Sequence, residues 1–415
     1  MSRSRAALNR PLIAAFMAIA LILLAIGALQ SRRPAAAATG SLVAVGSFGS
    51  NPGNLQMYTY TPAGLPSNAP LVVAMHGCTQ TANDYFTHSG WAELADTYKF
   101  AVVFPQQPSS NNSTLCFDWW TPSDDSRGVG EAASVKAMVD YEKSHLSIDS
   151  ARVFLTGLSA GGAMTADLLA DYPDVFAGGA TDSGLPAQCA TSQTQATNCQ
   201  QNNQNLTPAQ WAARVTAAYS GYSGPYPRVA IWQGTGDYIV YPVNGTELRD
   251  QWTAVHGVSQ TPSSTQTLTG GTTETTYNDS AGTAQVAFFS IAGMGHGTAV
   301  HPGSGTDNCG STGAYFLDYI CSSYYTAQFW GLTGGGNPTT TPTTTSPSPT
   351  PTPTPTYTCV TASNYAQTQA GRAYQSGGYT YANGSNQNMG LWNTYVTHTL
   401  RQTGANYWVI ADGQC

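Results

Sequence analysis

The run Gly157-Leu158-Ser159-Ala160-Gly161 leaves the chain few ways to fold. It has the form G-x-S-x-G, preceded by the apolar, β-branched run Arg152-Val153-Phe154-Leu155-Thr156 and followed by a helix-compatible stretch, Gly162 to Ala170. Strand, tight turn and helix are the setting a nucleophile elbow requires, in which the serine stands exposed at the top of a sheet. The flanking glycines suit a strained turn that leaves no room for side chains. Small residues that merely let a helix pack on a strand give the same pattern, so the rest of the chain must decide.

The surrounding sequence alternates strands and helices from Val43 to Leu332. Strands are expected at Leu55–Thr61, Pro70–Met75, Phe100–Phe104, Val229–Gln233 and Gln285–Ile291. Helices are expected at Thr81–Tyr98 and Glu131–His145, the latter with Ala133, Val135, Met138, Val139 and Tyr141 on an apolar face. Such alternation implies an α/β fold, a mostly parallel sheet covered by helices on both faces. Residues 39–332 form one such domain.

Before it, residues 1–38 read as an export signal. Arg3, Arg5 and Arg10 precede an apolar run from Leu12 to Leu29, and Ala36-Ala37-Ala38 offers a cleavage site. The run approaches spanning length, so an uncleaved anchor is the alternative. The mature chain is expected to be secreted and free of the membrane. Residues 333–356, rich in Thr, Pro and Ser, read as an extended linker, and residues 357–415 as a small separate domain needing a covalent staple.

Charged residues make up only 9% of the chain and no basic cluster occurs, which argues against nucleic acid as a partner. Eight cysteines in an exported chain point to disulfides rather than metal ligands. About 105 pairings are formally open; local ones are expected, Cys78–Cys116, Cys189–Cys199, Cys309–Cys321 and Cys359–Cys415. No close His/Cys cluster suggests a metal, and no cofactor is called for.

If Ser159 is a nucleophile, it needs a base and an acid to orient that base, in the chain order Ser, Asp or Glu, His. Asp237 follows a strand in Gly234-Thr235-Gly236-Asp237, at the sheet edge where ligands sit in open α/β folds. Asp182 ranks behind it, because it follows the elbow helix too closely to belong to a later strand end. His296, in Gly293-Met294-Gly295-His296-Gly297, is the candidate base, with His301 the neighbouring alternative. His88, His145, His256 and His398 read as surface or structural residues. Oxyanion donors are expected from the N–H of Ala160 and, in the loop Met75-His76-Gly77-Cys78, from that of Cys78, with His76 shaping the hole. A Cys78–Cys116 bridge would bring Trp119 and Trp120 near the site as an apolar wall, unless both simply pack in the core.

Taken together, His76-Gly77-Cys78-Thr79-Gln80, Cys116 with Trp119, Arg127 to Glu131, Gly157 to Met164 and Tyr172-Pro173-Asp174-Val175-Phe176 resemble the extracellular poly(3-hydroxybutyrate) depolymerase family, which also contains feruloyl and acetylxylan esterases. The resemblance covers nearly all of 43–332, through Cys309-Gly310-Ser311-Thr312-Gly313-Ala314-Tyr315 to Phe329-Trp330-Gly331-Leu332. It implies an α/β-hydrolase with Ser159, Asp237 and His296 as triad and His76 in the oxyanion motif. The tail, through Ser363-Asn364-Tyr365, Ala370-Gly371-Arg372-Ala373 and Met389-Gly390-Leu391, resembles that family's short substrate-binding domain. Its aromatic residues, Trp392 among them, either suit a polyester or polysaccharide surface or form the small core. The family's module often carries a histidine near its arginine, whereas Arg372 here has only the distant His398.

The expectation is therefore a monomeric serine esterase acting on an insoluble polyester. One alternative is a feruloyl or acetylxylan esterase whose tail binds plant cell-wall polysaccharide. The other is a surface-binding protein without activity.

Overall fold

The computed structural model describes residues 40–334, 358–404 and 406–412. The expected export signal, most of the linker and Cys415 lie outside them. The described residues fall into two compact units, divided within the linker.

The larger unit is built on a ten-stranded sheet. In chain order its strands are β1 (Val43–Val45), β2 (Gln56–Tyr60), β3 (Ala69–Met75), β4 (Ala101–Gln106), β5 (Ile148–Leu158), β6 (Gly178–Asp182), β7 (Arg228–Gly234), β8 (Ser264–Leu268), β9 (Thr272–Asn278) and β10 (Ala284–Ile291). Their spatial order is β1-β2-β4-β3-β5-β6-β7-β10-β9-β8. The six strands from β4 to β10 in that order pair in parallel, and the two strands at either edge are antiparallel.

Alternation along the central strands feeds two cores. Leu71, Val73, Met75, Val103, Leu155 and Ile231 enter one; Val72, Ala74, Val102, Phe104, Phe154 and Trp232 enter the other. Successive side chains of a strand point to opposite faces, so near-continuous apolar runs are what a sheet covered on both sides demands. The α/β-hydrolase reading of the fold holds.

Two expectations need correction. The stretch Thr81–Tyr98 is not one helix but two, Ala82–His88 and Trp91–Tyr98. Gly90 breaks it with φ +84°, and a Cβ there would lie 2.5 Å from Cys309 Sγ, so the break is forced by close packing. Second, Asp182 does end a strand, β6. Its sequence Gly178-Gly179-Ala180-Thr181-Asp182 lacks the usual strand formers. Glycines are required because Trp330 presses on Gly178 and a Cβ on Gly179 would meet Leu169 Cδ1 at 2.3 Å.

The smaller unit holds two three-stranded sheets. One is β13 (Cys359–Ser363), β17 (Thr397–Gly404) and β18 (Tyr407–Ile410); the other is β14 (Ala373–Ser376), β15 (Tyr379–Ala382) and β16 (Asn388–Leu391). Its buried apolar cluster is Ala373, Ala382, Met389, Leu400 and Trp408.

Candidate active site

Ser159 sits between β5 and the helix Ala160–Asp171 with φ +56° and ψ −117°, a conformation costly for any residue with a side chain. Both flanking glycines are obligatory. A Cβ on Gly157 would lie 2.4 Å from Gly161 O, and one on Gly161 2.5 Å from His76 O. The same close approach that excludes side chains thus presses the elbow against the loop after β3. The Ser159 hydroxyl does not cap its own helix, which leaves it free for other partners.

The acid and base candidates arrive on neighbouring loops, after β7 and after β10. Thr235 N–H donates to Ile291 O (2.9 Å), Gly236 N–H to Met294 O (2.9 Å) and Gly293 N–H to Thr235 Oγ1 (2.8 Å). Gly234 allows this stitching, since its Cβ would meet Met294 O at 2.3 Å. The result is a contact of 2.8 Å between His296 Nδ1 and Asp237 Oδ2, with the carboxylate side chain wholly buried. Asp237 Oδ1 accepts the N–H groups of Ile239 (2.9 Å) and Val240 (3.0 Å), which fix its rotamer. With Nδ1 bound to the acid, Nε2 is the imidazole nitrogen left to handle protons. No hydrogen bond joins Ser159 to His296 among the described residues; in unliganded sites this contact is often long and closes with substrate.

The competing candidates are accounted for. His301 contacts Asp318 instead (2.9 Å), on an exposed rim. His88 contacts Ser311, His145 stacks on Tyr141, and His256 contacts Pro227 O. Asp182 is buried among Tyr85 and Thr298 rather than at the imidazole.

His76 is fully buried, and burial lowers its pKa from 6.5 to about 4, so it is neutral at ordinary pH. Its Nε2 accepts Gln107 N–H (3.2 Å), which assigns the proton to Nδ1, donating to Gly77 O (2.8 Å). Here His76 is a brace for the loop. Gln107 passes the bracing on: its amide donates to Cys116 O (2.9 Å) and to Glu131, and Glu131 also accepts Asp118 N–H (2.9 Å). Burial raises Glu131 to about 8.

Disulfides join Cys78 to Cys116, Cys189 to Cys199 and Cys309 to Cys321. The first places Cys78 and Ala160 on one cavity of about 440 Å³, with Trp119, Trp120, Asn112, Gln193 and Gln200 on its walls. Trp119 is nearly buried and meets Trp120 edge-to-face at 5.4 Å, so the pair serves as both core and cavity wall. Cys78 and Ala160, the residue after Ser159, thus border one cavity, where their N–H groups are the candidate donors to a polarised carbonyl.

Sequence reasoning places Gln80 and Tyr315 within stretches of resemblance but gives neither a role at the site. Gln80 accepts Gly77 N–H (2.9 Å) and donates to Ala314 O (3.1 Å), bridging the candidate oxyanion loop to the segment whose Tyr315 ring lies edge-on to His296 at 5.9 Å. The link spans 234 positions, and no local pattern signals it.

In the smaller unit, Arg372 donates to Gln367 Oε1 (2.5 Å), while Gln367 Nε2 donates to His398 O (2.9 Å). The distant histidine is thus brought within one amide of the arginine, although its ring turns to Asp412 and Met389 O. Trp392 is partly exposed and packs on Tyr365 at 5.3 Å. Cys359 is disulfide-bonded, and its expected partner Cys415 lies outside the described residues.

Known proteins resemble this chain over most of its larger unit. A family model described as "Esterase PHB depolymerase" matches residues 55–276. Poly(3-hydroxyalkanoate) depolymerase C of Paucimonas lemoignei is 52% identical over 295 residues, 71% of each chain. Feruloyl esterase B of Talaromyces stipitatus is 38% identical over 263 residues, 62% of this chain and 72% of that one. Among solved structures, an acetyl xylan esterase from Aspergillus awamori superposes with a TM-score of 0.60 at 32% identity, covering 71% of this chain and all of the other.

Proposed function

Because the chain belongs to the esterase PHB depolymerase family and is a carboxylic ester hydrolase, we propose that it cleaves poly(3-hydroxybutyrate) or a similar short-chain polyester, as a secreted enzyme. The reading rests above all on the buried Asp237–His296 pair, with the strained Ser159 elbow as its partner in chain order. The substrate is argued from the 52% identity to a polyhydroxyalkanoate depolymerase.

In the proposed cycle His296 Nε2 takes the Ser159 proton as Oγ attacks the ester carbonyl. Asp237 holds the imidazole by Nδ1 and stabilises the imidazolium. The N–H groups of Cys78 and Ala160 receive the oxyanion, each worth on the order of 10²–10³ in rate. His296 then protonates the leaving hydroxyl, and water repeats the sequence on the acyl-enzyme. Residues 357–415 would tether the enzyme to its insoluble substrate and raise local concentration.

A second reading, a feruloyl or acetylxylan esterase, is supported by the relatives at 38% and 32% identity. The test measures 3-hydroxybutyrate release from a polymer suspension beside ferulate and acetate release from xylan. The full chain is compared with one ending at Leu332 and with Ser159→Ala. Polymer loss that drops on truncation while soluble-ester turnover stays is expected, with Ser159→Ala abolishing both. Ferulate or acetate release without polymer loss selects the second reading, and activity surviving Ser159→Ala refutes the mechanism.

A further inference from the structure

We propose that Asp182 is a positioning residue that locks the nucleophile and the base loop to each other, its main chain holding Ser159 and its side chain holding the segment just past His296. The inference rests on the Ser159–His296–Asp237 reading above.

Asp182 closes β6, and its carbonyl accepts the N–H of Ser159 at 2.9 Å. Its Oδ2 accepts Thr298 Oγ1 at 2.9 Å and Tyr85 OH at 3.4 Å, and the two hydroxyls lie 3.4 Å apart. All three residues are buried. Ser183, with φ +45°, extends the contact: its N–H donates to Trp232 O (2.8 Å), on the strand that leads to Asp237, and its hydroxyl reaches Gly297 O at 3.5 Å. Residues 182 and 183 therefore touch the three chain segments that carry the triad.

The base loop needs such an anchor. His296 is flanked by Gly293, Gly295 and Gly297, which have no side chains to pack, and the loop becomes regular only at β11 (Thr298–Val300). Thr298 also donates its N–H to Tyr315 O (2.9 Å), so one threonine sets the height of both His296 and the ring beside it. Burial works against the Asp182 carboxylate and raises its pKa to about 7. A carboxyl kept in an unfavourable interior, partnered by hydroxyls on the base loop and the helix Ala82–His88, has a positional use; it touches neither the imidazole nor the cavity.

The test compares Thr298→Val, which deletes the donor at nearly constant shape, with Thr298→Ser, which keeps it. Turnover of p-nitrophenyl butyrate, the rate of Ser159 labelling by a phosphonate, and the melting temperature are measured on each full chain. Misplacing the base should lower kcat and the labelling rate together, about 10–100-fold in Thr298→Val. KM should stay within about threefold, with most activity restored in Thr298→Ser. Asp182→Asn, which still accepts a hydrogen bond, should retain more activity than Asp182→Leu. Thr298→Ala against Thr298→Ser gives the same contrast should the valine variant not fold. A Thr298→Val or Thr298→Ala enzyme with normal kcat per phosphonate-titratable site would overturn the proposal, whether or not its stability falls. That result would leave the triad reading intact, whereas loss of the Ser159 requirement itself would remove both.

Discussion

The two units place their aromatic residues in opposite ways. In the larger, Trp91, Trp211, Trp232, Trp252, Phe100, Phe104 and Phe289 are fully buried. In the smaller, Tyr365, Tyr374, Tyr379, Trp392, Tyr395 and Tyr407 are 40–90% exposed, and among the described rings only Trp408 joins the core. A ten-stranded sheet with two cores can shelter many large rings; two three-stranded sheets over a five-residue apolar cluster shelter one, Trp408. The small unit compensates with buried amides. Asn364 Nδ2 donates to Met389 O (2.6 Å) and Leu391 O (3.0 Å), and Gln367 Nε2 to Val360 O (2.9 Å) and His398 O, so that the helix Asn364–Gln369 ties one sheet to the other. Rings are thus mostly core in the larger unit, with Tyr238, Tyr241 and Tyr315 exposed, and mostly surface in the smaller, which fits the proposal of chemistry in the first and adsorption in the second.

The sharpest challenge to that division is Asp237→Asn. Losing the charge that orients His296 should cut soluble-ester kcat by about 10³–10⁴ while adsorption to polymer particles stays unchanged. A parallel loss of adsorption would show that the units do not divide the work in this way.

Next comes pH. Burial raises Glu131 to about 8 and Asp171 also to about 8, both in the larger unit. A carboxyl whose folded pKa lies above its unfolded value contributes stability that is present below the unfolded pKa and is lost as pH rises through the folded one. The transition of the larger unit should therefore move to lower temperature between pH 6 and 9, and more gently in Glu131→Gln. Identical slopes in calorimetry would mean that Glu131 is not the source.

Asn364→Ala removes the amide that donates to the Met389 and Leu391 carbonyls. It should destabilise the smaller unit by about 1–3 kcal/mol, reducing polymer binding with no change in p-nitrophenyl butyrate turnover. The smallest effect is expected from Trp392→Ala. Loss of one exposed ring should weaken polymer adsorption about threefold to tenfold without shifting the melting temperature. A fall in melting temperature would place Trp392 with the core residues.

Much of the site was legible because its pieces are local. Gly157 to Gly161, Gly234 to Asp237 and Gly293 to Gly297 each carry a candidate functional side chain among glycines directly after an apolar strand, and that pattern needs no partner to be recognised. The strand β6 was not legible, since its glycines answer to Trp330 and Leu169 from elsewhere in the chain. Nor was the break at Gly90, which answers to Cys309. Reasoning from spacing set Asp182 behind Asp237 on a ground the structure overturns; it does end a strand, and its side chain is turned to Thr298.

By itself the sequence determined the class of fold, the order of the candidate triad and the resemblance that led to the family, because each depends on residues within one short window or on their order. Tertiary structure alone decided which histidine faces which carboxylate, that His76 is a neutral brace, that Gln80 and Asp182 fasten distant loops, and which aromatic rings meet solvent. Those outcomes are set by contacts across tens to hundreds of positions, where packing density and the satisfaction of buried polar groups decide the result and local propensity carries no record of it.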